Sequence, residues 1–257
     1  MSVIPDLREP VHALVSGASS GVGLAVVEAL LQRDDVACVH AVSRSAARSE
    51  TLAALADSHA GRLIRIEADL TVAADLARLA SRVADSGQPL HLVFNAAGFL
   101  HGEGLMPEKA LAQLSAEALQ RSFAINAIAP ILLFQALLPH LASRAPAVLA
   151  SLSARVGSIG DNQLGGWYSY RAAKAAQNQL LRTLAVELRR THPKASCICL
   201  HPGTVDTPLS APFKARVPAG KLFTPAHAAE RLLQVVAGAT PERSGGFYAY
   251  DGSTIPW

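Results

Sequence analysis

A chain of 257 residues, half of them hydrophobic and 17% charged, is long enough to bury one large core and too apolar for a disordered tail. Its formal charge of +3 is spread over isolated residues such as Arg8, Arg33, Arg65, Arg121 and Arg182, with only Arg189 and Arg190 adjacent, which argues against a nucleic-acid surface. Cys38, Cys197 and Cys199 suit buried thiols in a reducing compartment, and no Cys or His set has metal-ligand spacing, so no metal is expected.

Short apolar runs at Val11–Ser16, Val36–Val42, Arg62–Glu67, Leu90–Asn95, Ala147–Leu152, Ala195–Leu200 and Gly246–Tyr250 read as strands. Between them, helical periodicity runs over 22–32, 46–58, 72–85, 117–143, 167–191 and 225–239. This alternation predicts an α/β fold, a doubly wound parallel sheet of about seven strands with helices on both faces, formed by residues 1–257 as one domain. Two loops stand out. Ser153–Gly166 follows the fifth strand and carries four glycines, and Thr204–Leu222 follows the sixth with Pro208, Pro212 and Pro218, where a lid is expected. The start MSVIPDLREP lacks a basic segment followed by an apolar one, and the longest helical stretch is interrupted by Gln135, Pro139 and His140. A cytoplasmic location with no membrane partner is the expectation.

The first strand ends in Ser16-Gly17-Ala18-Ser19-Ser20-Gly21-Val22-Gly23 and runs into a helix. Glycines there allow a tight turn and close approach of a pyrophosphate, whose charge would meet free amides at the helix N-terminus. Gly17, Ser19, Ser20, Gly21, Val22 and Gly23 are the candidate phosphate cradle. The spacing G-x-x-x-G-x-G resembles the T-G-x-x-x-G-x-G fingerprint of the short-chain dehydrogenase/reductase family, with Ser16 for the usual Thr. The resemblance covers nearly the whole chain and implies a Rossmann-like fold with a nicotinamide dinucleotide.

At the end of the second strand, Ser43 and Arg44 stand where an acidic residue would bind the ribose hydroxyls and repel a 2′-phosphate. A small hydroxyl followed by a guanidinium does the reverse, so NADP(H) is expected over NAD(H); the alternative is that Arg44 merely opens a helix at the surface. The resemblance further implies that Asp69 and Leu70 meet the adenine and that Asn95, Ala96 and Gly98 lie along the adenosine. In His201-Pro202-Gly203-Thr204-Val205-Asp206-Thr207, which resembles the family's P-G-x-x-x-T, the backbone after Gly203 would hold the carboxamide and Thr207 the pyrophosphate, which makes Pro202, Gly203, Val205 and Thr207 candidate cofactor contacts. His201 beside this motif reads as structural, not as a base.

Tyr170 and Lys174 lie at i and i+4, one above the other on a helix face. Reducing a carbonyl takes a hydride on carbon and a proton on oxygen, and an ammonium beside a phenol is expected to pull its pKa down toward neutrality. Tyr170 is therefore the candidate acid/base and Lys174 its partner; the resemblance implies that Lys174 also meets the nicotinamide ribose. It also implies that Asn126 anchors a water serving Lys174, against the plainer reading of a satisfied core amide. The family's carbonyl-polarising serine would fall at position 157, which is glycine here. Either Ser153 is that hydroxyl, or Ala154 occupies its slot and Ser153 stands in from next door; Ser153 is the candidate.

Within the family, the stretch from Gly157 to Arg171 and the ending Tyr250-Asp251-Gly252 to Pro256-Trp257 resemble the sniffer and C-factor branch. That branch implies a carbonyl reductase acting on an aldehyde or ketone and its alcohol, with a nucleotide-binding signalling protein as the alternative. Phe99, Leu100, Trp167, Leu209, Phe213 and Val217 suggest an apolar or aromatic substrate. The long helices over 117–143 and 167–191 imply, by the same resemblance, a homo-oligomer, dimer or tetramer.

Overall fold

The computed structural model describes residues 2–102 and 104–257, and at Arg216 the backbone alone. Seven strands form one parallel sheet: β1 (Val11–Ser16), β2 (Val36–Ser43), β3 (Leu63–Glu67), β4 (Leu92–Asn95), β5 (Ala147–Leu152), β6 (Ala195–His201) and, last in chain order, β9 (Phe247–Ala249). Their order is β3-β2-β1-β4-β5-β6-β9. Order reverses between β1 and β4, so the chain leaves a crevice beyond their C-terminal ends, where open sheets bind ligands. A two-stranded ribbon, β7 (Thr204–Val205) with β8 (Leu222–Phe223), frames the expected lid.

Burial on both faces explains the unbroken apolar strands. On one face Val26, Val27 and Leu30 of α1 (Gly21–Leu31), Leu52 of α2 (Glu50–Ser58) and Leu232 of α7 (Pro225–Ala237) pack on Val15, Val39 and Phe94. On the other, Leu79 of α3 (Ala73–Ala84), Leu133 and Phe134 of α5 (Ala129–Leu137) and Leu181 and Leu188 of α6 (Tyr168–Thr191) pack on Leu14, Val93 and Leu149. Helix starts follow local chemistry: Ser49, Ser115 and Thr224 each accept a bond from a first-turn amide of α2, α4 (Ala116–Phe123) and α7.

The one long departure from the periodicity lies in 117–143. The stretch is two helices, α4 and α5, joined by a π-turn over Ala124–Ile128 and followed by a 3-10 turn at Leu138–His140. Ala116–His140 is long and apolar enough to cross a membrane by composition, with mean hydropathy 1.7, yet Ala129, Leu133, Phe134 and Leu137 are packed in the core.

At the opposite end of the sheet from the crevice, His12, His40 and His91 cluster. His91 Nδ1 accepts from His12 N (3.2 Å) and Nε2 faces Glu9 Oε1 (3.1 Å), whereas neither ring nitrogen of His40 has a partner among the described residues. Burial, with His12 and Arg82 adding to it, takes His40 down to about 4 from 6.5. A base whose folded pKa is depressed binds fewer protons folded than unfolded between those values. Its stabilising contribution is therefore complete above pH 6.5 and is lost as pH falls toward 4. Denaturant titrations at pH 7.5 and pH 5 should show His40→Leu losing less stability than the unaltered chain, by about 2 kcal/mol.

Candidate functional site

A cleft of about 900 Å³ opens beyond β1 and β4 and takes in the C-terminal ends of six strands, β1 to β6. Its floor is the turn from β1 into α1. Gly17 has φ +69°, and a Cβ there would lie 2.8 Å from the Ala96 backbone; a Cβ on Gly23 would lie 2.2 Å from Gly17 O. Only glycine lets this turn lie flat against β4 and α1. Ser20 precedes α1 in extended conformation and makes no side-chain cap, and the first turn holds no acidic residue. Thr207, from the loop after β7, lies against Gly21, where a Cβ would meet its Cγ2 at 3.1 Å. Uncapped amides and absent side chains fit a dinucleotide pyrophosphate.

Ser19, Ser20 and Val22 line this floor, and Ser43, Arg44, Asp69 and Leu70 line the end beyond β2 and β3. Burial works to raise the Asp69 carboxyl, but the Thr71 hydroxyl and amide and the charges of Arg44 and Arg121 hold it below its ordinary value. Ala96, Gly98, Pro202, Gly203, Val205 and Thr207 line the middle of the cleft.

Two expected residues lie elsewhere. Asn95 is fully buried beneath the floor: Oδ1 accepts from Ser16 Oγ (2.5 Å) and Nδ2 donates to Ser151 Oγ (2.8 Å). Asn126, in the π-turn, accepts from Phe99 N (2.9 Å) and donates to Phe99 O (2.7 Å) and Ser122 Oγ (3.1 Å). Its side chain splints the backbone after Gly98 instead of facing the cleft.

Tyr170, Lys174 and Ser153 meet at the other end of the cleft. Lys174 is 2% exposed and its Nζ donates to Leu152 O (2.8 Å) and Gln177 Oε1 (2.9 Å), 5.8 Å from the centre of the Tyr170 ring. The electrostatics depart from the expectation. Burial raises the Tyr170 phenol above its ordinary value, and burial lowers Lys174 to about 7, partly offset by Cys199. In this arrangement the phenol keeps its proton at neutral pH.

A serine at position 157 would force its surroundings to shift. A Cβ on Gly157 would stand 2.8 Å from Lys174 Cβ and 3.0 Å from its carbonyl carbon, because the 3-10 turn Arg155–Gly157 lies directly on α6. Ser151 faces inward, its oxygen accepting from Asn95 and Gln177 (2.7 Å). Ser153 lines the cleft beside Ala154, and its hydroxyl donates to Asn178 Oδ1 at 2.6 Å. His201 also lines the cleft, but its Nδ1 accepts from Arg155 N (3.3 Å) and burial takes it to about 4, so it is a neutral strut.

Further residues complete the site, and of these Gln177, Asn178, Glu108 and His101 were flagged by no motif. Gln177 and Asn178, three and four residues after Lys174, hold Lys174 and Ser153; polar residues recurring on the buried side of an amphipathic helix were the available signal. Glu108 caps α6 from a distant loop, accepting from Ser169 N (3.2 Å) and Ser169 Oγ while its own carbonyl accepts from Trp167 N. Trp167 sits in the left-handed region with φ 52°, an unusual conformation for a bulky residue. Its ring packs on Phe213 of the lid (4.9 Å) and Tyr170 (6.2 Å). His101 Nε2 bonds Pro208 O (3.2 Å) and Leu209 O (3.1 Å), which fixes it as the donor nitrogen and clasps the lid to the loop after β4.

A family model described as short chain dehydrogenase matches residues 11–217. The C-signal of Myxococcus xanthus is 36% identical over 149 residues, 58% of this chain and 84% of that protein. Among solved structures, an NADPH-bound carbonyl reductase from chicken fatty liver superimposes with TM-score 0.85 at 26% identity, covering 97% of this chain and 100% of its own. The carbonyl reductase Sniffer of Drosophila melanogaster gives TM-score 0.85 at 25% identity over the same shares.

The contact at Gly157 has a direct test. Gly157→Ser should push the 155–157 turn off α6 at Lys174, costing roughly 1–3 kcal/mol of stability in denaturant titration.

Proposed function

Because the chain belongs to the short-chain dehydrogenase family of oxidoreductases, we propose that it interconverts an apolar or aromatic carbonyl compound and its alcohol with NADP(H). The observation that carries this is the convergence of the glycine cradle, Arg44 and the Tyr170–Lys174–Ser153 group on one cleft. A bound nicotinamide supplies or accepts the hydride. Tyr170, which burial keeps protonated at neutral pH, is the general acid in the reducing direction. Lys174 then stabilises the phenolate from one turn away, and its near-neutral pKa lets it exchange protons at physiological pH. Ser153 polarises the carbonyl oxygen by turning its hydroxyl from Asn178 toward the cleft. Trp167 and Phe213 supply an apolar wall for the substrate.

NADPH over NADH is supported by Ser43 and Arg44 at the end of β2 and by the cofactor of the chicken carbonyl reductase. Likeness to the Myxococcus C-signal favours a second reading, a signalling protein in which turnover is secondary. We read residues 1–257 as one dinucleotide-binding domain. Its three buried free cysteines suit the cytoplasm.

One assay separates these readings: oxidation of NADPH and of NADH over a panel of aldehydes, ketones and quinones. NADPH should be consumed with apolar aromatic carbonyls, the preference should shrink in Arg44→Ser, and Tyr170→Phe should lose at least about 100-fold in kcat while still binding NADPH. Reaction with strongly anionic carbonyls alone would overturn the substrate class, and a signalling role that survives Tyr170→Phe would favour the second reading. Ile128, Leu132, Leu180 and Val186 are exposed apolar residues on the α5 and α6 side, and we assign them to contacts between copies of the chain. Light scattering at micromolar concentration should therefore report a dimer or tetramer; a monomer would refute it.

A further inference from the structure

Lys174 carries its charge into a place where no carboxylate bonds to it among the described residues. An ammonium has three protons, and two are taken by neutral acceptors, Leu152 O and Gln177 Oε1. Gln177 is fully buried, and its amide cannot turn round freely. Nε2 donates to Ser151 Oγ (2.7 Å) and to Leu152 O (3.2 Å). Ser151 Oγ also accepts from Asn95 Nδ2, and Asn95 Oδ1 is held by Ser16 Oγ. Reversing the amide would set an N–H group against the ammonium and an oxygen against the Leu152 carbonyl. A buried chain from β1 through β4 and β5 therefore dictates that oxygen faces Lys174.

We propose that Gln177 is a positioning residue for the reductase centre, aiming the Lys174 ammonium at the cleft and, as its one side-chain acceptor among the described residues, governing how readily it gives up a proton. This rests on the reading of Lys174 as part of that centre. Burial has brought the amine to about 7, where one neighbouring dipole tips the balance between its two forms. The titratable groups that face it are few. Cys199 comes from β6 and Tyr170 from the preceding turn of α6, while β5 offers the Leu152 carbonyl and the 155–157 turn offers Gly157. Removing the Gln177 oxygen should favour the neutral amine; replacing it with a carboxylate should favour the ammonium.

The test is NMR titration of the full chain with lysine labelled at Cε. The sequence has five lysines, and the Lys174 signal is assigned by its loss in Lys174→Met. In the unaltered chain its midpoint should lie near neutrality, well below the others. Gln177→Glu should raise that midpoint by at least about one unit and Gln177→Met should lower it by about one, with the pH limb of kcat/KM moving the same way. Midpoints within about 0.3 unit of the unaltered chain in the folded variants would overturn the proposal, being under a third of the shift expected from a lost or gained charge partner. If one variant fails to fold, the direction of shift in the other decides. The titration needs no substrate, so a chain without reductase activity still tests Gln177, and an active reductase with an unmoved Lys174 refutes this inference alone.

Discussion

Taking an ammonium out of water costs several kcal/mol unless polar groups replace the lost hydration. At Lys174 the replacement is made of neutral groups, and much of the surrounding structure follows from it. Gln177 must be buried beside it on α6, and Ser151 must point inward from β5 to hold Gln177. Asn95 and Ser16 then extend the chain of bonds to β4 and β1. Gly157 lacks a side chain because α6 lies too close at Lys174 to admit one. The same strand ends form the floor of the cleft, so solvation of one amine and shape of the cofactor site are a single problem.

Burial in neutral company also sets the charge states of Tyr170 and Lys174. A charge-paired lysine would stay cationic throughout and hold the phenol partly ionised. Here the lysine is near its midpoint and the phenol is fully protonated at neutral pH.

Much of the fold was legible in the sequence because a sheet covered on both faces writes its strands as continuous apolar runs. β1 and β5 fall where periodicity put them, and the other strands of the main sheet differ by up to two residues at an end. The stretch 117–143 was not legible as two helices, since a π-turn changes hydrogen-bond register without changing composition. Of the candidate site, the glycine turn and the stacking of Lys174 one turn from Tyr170 were readable because both follow from local geometry. Asn95 and Asn126 show the limit: a motif places the residue but not the direction of its side chain, and here both amides satisfy buried groups. Glu108 and Gln177 act on partners from other elements, Ser169 and Ser151, and no spacing rule records such a contact.

The π-turn at Ala124–Ile128 amounts to one residue more than a regular helix between α4 and α5 would need. Deleting a residue there would let the segment heal into continuous α-helix, a locally favourable change. Everything beyond it would keep its place, since the bulge already absorbs the extra residue. Leu133 and Phe134 would stay in the core, and what would be lost is the Asn126 splint on Phe99. The extra residue thus serves the wall of the cleft and not the helix that carries it.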